Sequence, residues 1–182
     1  MLQLFKKYNT VLRFIFIFLG SYFIFSLFYN GYLVFFRSSV YYPDFITHLV
    51  AKQSESLIKS LGYSADILPH QTELSMKLYV NKTYLARIVE GCNAISIMIL
   101  FSSFILAFFG RLKLSLIYIL AGSVLIYAMN LIRIALLAIG IYEYPEYASF
   151  SHSILFPLVI YGTVFFLWVL WVRIYANTRK KG

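Results

Sequence analysis

Three residues of this chain carry side chains suited to acyl transfer. Cys92 is the only cysteine among 182 residues, and it lies in Glu90-Gly91-Cys92-Asn93-Ala94, where a mixed polar segment gives way to an uncharged apolar run. Arg133 is the single charge within a second long apolar run, and His152 opens a third. A thiolate is a strong nucleophile, and its pKa falls near a helix N-terminus or a cation. An imidazole can take the thiol proton and return it to a leaving amine. A fixed guanidinium in a water-poor site stabilises the oxyanion of a tetrahedral intermediate. Asn130, three residues before Arg133 on nearly the same helix face, can orient it or supply another donor.

Taken singly, each residue has a plainer reading. A lone membrane cysteine usually packs as a small apolar side chain. A histidine at a helix start is often a cap. The arginine is different, because an intramembrane charge is costly and points to function by default; its alternatives are snorkelling to the interface or pairing with Glu90, Glu143 or Glu146. His48 and His70 lie in the polar segment without a cysteine partner or metal-ligand spacing, so they read as surface or cap residues, and no metal or cofactor is indicated.

The elements that must position these groups follow from composition. The chain is 61% hydrophobic and 13% charged, against roughly 25% charged residues in soluble domains. Several uncharged runs approach the roughly 20 residues that cross a bilayer as helix. The expected fold is an all-α integral membrane protein of a single membrane domain, residues 1–182, with about four transmembrane helices near 12–34, 93–109, 114–141 and 151–175. Tyr22, Tyr29 and Tyr32 suit an interfacial belt in the first. Between the first two spans lies a segment, 37–90, of another kind. Tyr41-Tyr42-Pro43-Asp44 reads as a helix start, and apolar residues from Phe45 to Leu61 recur at spacings of three and four up to Gly62, giving an amphipathic helix that lies on the membrane surface or caps the bundle. Leu74–Val80 and Tyr84–Val89 read as a short β-hairpin around Asn81-Lys82. Asn81-Lys82-Thr83 also matches a glycosylation sequon, a tripeptide common by chance. Gly110-Arg111-Leu112-Lys113 reads as a tight basic turn.

The net charge of +9 does not point to nucleic acid, because membrane proteins collect basic residues in cytoplasmic flanks. Four spans put both termini on one side. Lys6, Lys7, Arg13, Arg111, Lys113, Arg173, Arg179, Lys180 and Lys181 then face the cytoplasm, and all seven acidic residues, Asp44, Glu55, Asp66, Glu73, Glu90, Glu143 and Glu146, fall on the other side with 37–90 and 142–150. In this topology Cys92 and His152 begin helices at the outer face. Arg133 lies about 10 Å below the outer end of its helix, taken at Gly140.

These residues resemble a known family. Glu90-Gly91-Cys92-Asn93-Ala94 looks like the Cys box of the exosortase/archaeosortase proteins, Asn130-Leu131-Ile132-Arg133-Ile134 resembles their Asn-x-x-Arg box, and Phe150-Ser151-His152-Ser153 resembles their His box. Order and spacing agree over about residues 85–175. The chain is most similar to compact forms such as the F type. Many relatives have Ser-Gly after the cysteine, where this chain has Asn93-Ala94, and many have eight or so spans. The resemblance implies a membrane-embedded cysteine peptidase/transpeptidase of the bacterial or archaeal cytoplasmic membrane. Its partners would be membrane lipid, an acyl acceptor, and the C-terminal sorting signal of exported proteins: a short motif, a transmembrane helix and a basic tail. Carried over residue by residue, Cys92 is the nucleophile, Arg133 the transition-state stabiliser and His152 the acid/base; apart from that carry-over, Asn130 and Asn93 are the candidate supporting residues. A non-catalytic assembly or scaffold protein of a surface-protein export system is the alternative. A transporter fits less well, with one intramembrane charge and no repeat symmetry.

Overall fold

The computed structural model describes the backbone of residues 2–36, 42–108 and 112–180, without the side chains of 2–7, 151, 152, 156 and 177–180. Of the residues singled out above, Tyr41, Gly110, Arg111 and Lys181 lie outside the described residues. So do the side chains of Lys6, Lys7, His152, Arg179 and Lys180.

The chain is mostly helical. α1 spans Leu2–Phe35, α2 Phe45–Ser60, α3 Ile95–Ala107, α4 Leu112–Glu143, and α6 Phe156–Lys180. A single turn, α5 (Ala148–Phe150), and a π-helical turn (Ser151–Leu155) lead into α6. The helix expected from Ser151 is therefore irregular through its first residues.

Among the described residues, three helical stretches are long and apolar enough to cross a membrane: Tyr8–Phe35, Leu112–Glu143 and Pro145–Ala176. The stretch expected as a fourth span is shorter. α3 has 13 residues, about 20 Å of helix, against a hydrocarbon core of roughly 30 Å. Its ends account for this. Ala94 is left-handed just before it, and Phe108 is extended just after it.

Between α1 and α3 the chain builds more β-structure than a hairpin. β1 (Ala65–Pro69), β2 (Ser75–Val80) and β3 (Thr83–Val89) form an antiparallel sheet in the order β1-β2-β3. The all-α expectation is corrected to a helical protein with a three-stranded sheet. β1 escaped notice because only Ala65 and Ile67 of its five residues are buried, and it ends on Pro69. The β2–β3 turn is the expected one: Asn81 and Lys82 both have positive φ, 48° and 68°, the geometry of a two-residue type I′ hairpin.

α2 starts where Asp44 caps it. The Asp44 carboxylate accepts from the N–H groups of Ile46 and Thr47, both at 3.0 Å, a strong N-cap. Its inner face (Thr47, Val50, Ala51, Ser54, Glu55, Ile58) is buried. Glu55 on that face is held by Lys52 at 2.9 Å and Lys59 at 2.7 Å.

α4 is the common spine of two apolar cores. Along its second half, Ile134, Ala135 and Ala138 pack with α2 and the sheet through Val50, Ile58, Met76, Leu78 and Ile88. Along its first half, Ile126 packs with α3 and α6 through Phe101, Ile105, Val164 and Trp171. α1 packs on α3, where Phe14 meets Phe104 edge to face at 5.6 Å. Gly122 makes the α3–α4 approach possible: a β-carbon there would overlap the ring of Phe101.

Candidate active site

Cys92 stands at the seam between these two cores. β3 leads into a 3₁₀ turn, Glu90–Cys92, and α3 begins three residues later. The half-buried Cys92 packs against the core of α2 and the sheet, while Ala94 is buried in the core of α3 and α6. The thiol therefore precedes a helix N-terminus, where the macrodipole favours negative charge.

The turn is held from three directions. Asn130 of α4, 1% exposed, donates from Nδ2 to the main-chain carbonyl of Cys92 at 2.7 Å. Asn93, equally buried, accepts at Oδ1 from the Ile95 N–H at 3.0 Å, satisfying one of the open donors at the start of α3. The Asn93 amide nitrogen donates to Tyr29 Oη of α1 at 2.7 Å and to Thr47 Oγ1 of α2 at 3.1 Å. Tyr32 adds a bond to the Asp44 carboxylate at 3.2 Å. α1, α2 and the start of α3 are thus joined behind the cysteine by one polar cluster. Sequence reasoning read Tyr29 and Tyr32 as interfacial and missed this role. Their spacing of three, which puts both on one helix face, was the available signal.

Ala94 has φ +64°, the left-handed region that costs a β-carbon-bearing residue about 1–2 kcal/mol. Glycine adopts it freely. The position is one of the two, with Asn93, where this chain departs from the Cys-Ser-Gly pattern of the resembling family.

Cys92 and Arg133 line one cavity of about 420 Å³. Its walls are β3 residues Tyr84 to Ile88 and one stripe of α4, from Arg133 to Ile141. Arg133 is half-buried, and its Nε is buried without a hydrogen-bond partner among the described residues. A buried donor of this kind is costly unless something supplies an acceptor. His152 lies in the π-helical turn Ser151–Leu155, which packs against α4; its side chain is outside the described residues. Cys92, Arg133, Asn130 and Asn93 therefore come together around one turn, two at the cavity and two behind it.

Among the described residues no three His, Cys, Asp or Glu side chains gather as a metal set. His70 Nδ1 accepts from the Glu73 N–H at 3.2 Å and so caps its own turn. His48 Nδ1 sits 3.3 Å from the Tyr42 carbonyl.

No curated protein matches the chain, and no solved structure does. The model of the transmembrane exosortase family matches residues 12–175. That span takes in the cysteine turn, the cavity, all of Leu112–Glu143 and most of the other two long apolar helices, and the chain belongs to the transmembrane exosortase family.

Proposed function

We propose that this protein is a membrane-embedded cysteine peptidase/transpeptidase that cleaves the C-terminal sorting signals of exported proteins. The observation that carries this reading is the shared cavity of Cys92 and Arg133, with an Arg133 donor left open. His152 takes the proton from Cys92 Sγ. The thiolate adds to the scissile carbonyl carbon, and Arg133 holds the resulting oxyanion. The C–N bond then breaks, the leaving amine takes the proton from His152, and Cys92 is left as a thioester. An acceptor nucleophile, or water, attacks the thioester and restores the thiol. Preorganised cationic stabilisation of this type is commonly the largest catalytic contribution.

The charge distribution supports a topology with both termini cytoplasmic and the cavity facing outward. In it α3 serves as a fourth, short span, and α2 with the sheet forms an extracytoplasmic cap. The deciding experiment co-expresses the protein with an exported reporter ending in a short motif, an apolar span and a basic tail. Cys92→Ala abolishes reporter processing while membrane insertion persists; unchanged cleavage sinks the reading. The mass of the reporter's new C-terminus distinguishes transfer from hydrolysis.

A further inference from the structure

Consecutive residues of a strand point to opposite faces. Yet Tyr84, Leu85, Ala86, Arg87 and Ile88 all line the cavity that holds Cys92. The β2–β3 register shifts between Leu78 and Tyr79, which breaks the alternation opposite Tyr84 to Ala86, and the cavity reaches in to Leu78 of β2 as well as along β3. β3 is the last strand of its sheet, so its outer edge has no partner strand among the described residues.

The direction of its backbone groups follows from the ladder. His70 N–H donates to the Ser75 carbonyl at 2.9 Å, and Asn81 N–H to the Ser64 carbonyl at 2.8 Å. Odd-numbered residues of β2 therefore bond toward β1. Met76, Leu78 and Val80 bond toward β3, opposite Ile88, Ala86 and Thr83. Arg87 and Val89 are then left with N–H and C=O pointing away from β2.

We propose that the segment of the sorting signal before the scissile bond binds as a fourth strand on this edge, its main chain pairing with Arg87 and Val89. The proposal rests on the catalytic reading above and names how that site takes its substrate. The opposite wall is the α4 stripe of Ile134, Leu137, Ala138 and Ile141, which receives alternate side chains. From Tyr84 to Ile88 the edge is roughly 13 Å long, enough for about four extended residues. Only an extended main chain offers the alternating donors and acceptors that such an edge lacks. The groove is continuous with the chemistry: β3 runs through Glu90 and Gly91 into Cys92, so a strand laid beside it delivers its carbonyl to the thiol. The open Nε–H of Arg133, in the same cavity, is a donor for that carbonyl.

The test uses the full chain and the co-expressed reporter. Arg87→Pro removes an N–H that faces the groove and leaves the β2 ladder intact, and an edge strand tolerates proline at such a position. Arg87→Ala removes the same side chain, with its ion pair to Glu73, but keeps the N–H. Processing by Arg87→Pro is expected about tenfold below that of Arg87→Ala, the variant that shares its side-chain loss. Maleimide labelling of Cys92, the only thiol, stays at the unaltered rate in both. Equal processing by the two variants, or equal loss, overturns strand addition and leaves the catalytic reading standing. Should Arg87→Pro fail to insert, cross-linking decides. A photoreactive p-benzoylphenylalanine replaces Tyr84 or, on the far edge of the sheet, Leu68, in a Cys92→Ala chain. Cross-linking of the reporter's C-terminal segment from position 84 and not 68 supports the proposal. No cross-link from 84, or equal yields, overturns it. Processing by Cys92→Ala instead overturns the catalytic reading itself.

Discussion

Asn130 Nδ2 and the main-chain carbonyl of Cys92 are joined by a 2.7 Å hydrogen bond that ties the spine helix to the cysteine turn. Asn130 is three residues from Arg133, so one face of α4 carries both the group that lines the cavity and the group that fixes the turn. Asn130→Ala leaves the Cys92 carbonyl without this donor, a loss of about 1–3 kcal/mol when the group is buried. Thermal unfolding in detergent is expected at a lower temperature, and reporter processing is expected to fall about tenfold. A purely structural role moves the first and leaves the second unchanged per folded molecule.

Ala94 holds φ +64° immediately after the cysteine turn. Ala94→Gly relieves the left-handed conformation and is expected to stabilise the protein by about 1 kcal/mol. Ala94→Val is expected to destabilise it by more than that, since a branched β-carbon fits the region worse still. Paired thermal melts of the two variants check the sign.

Gly122 faces Phe101, which is fully buried. Gly122→Ala forces α3 and α4 apart or displaces that ring, at about 1–3 kcal/mol. A Gly122→Ala, Phe101→Leu double variant is expected to recover part of the loss. Additive losses would show that the two residues do not share one contact.

Glu55 titrates against two lysines. Burial pushes its carboxyl up, but hydrogen bonds from Lys59 and Lys52 outweigh burial and bring it below its ordinary value. A depressed carboxylate stabilises the fold above its unfolded pKa, and the stabilisation is lost as pH falls through the folded one. Both lysines are half exposed, which keeps each pair below about 1 kcal/mol. The unaltered protein is therefore expected to lose thermal stability relative to Glu55→Gln as pH falls below 4.5. Parallel melting curves across that range would remove Glu55 from the acid response.

The parts of the fold legible in the sequence were those with strong periodicity or punctuation. Leu114–Ile141 is one uncharged run except for Arg133, and α4 exceeds it by two residues at each end. Asp44 and Gly62 bracket α2 as their chemistry requires. β1 was hidden because a five-residue strand with two buried positions has too little alternation to stand out. The candidate site was legible as residue types, since Cys92 is unique and Arg133 is costly. The bonds of Asn93 to Tyr29 and Thr47 were not, because they span 64 and 46 positions of sequence. No local pattern reports contacts at that distance.

α3 carries a consequence for the lipid itself. In the four-span topology proposed above, a helix of about 20 Å beside helices of 28 and 32 residues makes the surrounding acyl chains shorten, or sinks the cysteine turn beneath the headgroups. Either way the thickness of the membrane becomes a variable of the reaction. Reconstituted in vesicles of increasing acyl length, the protein is expected to process the reporter more slowly as its thiol is drawn deeper.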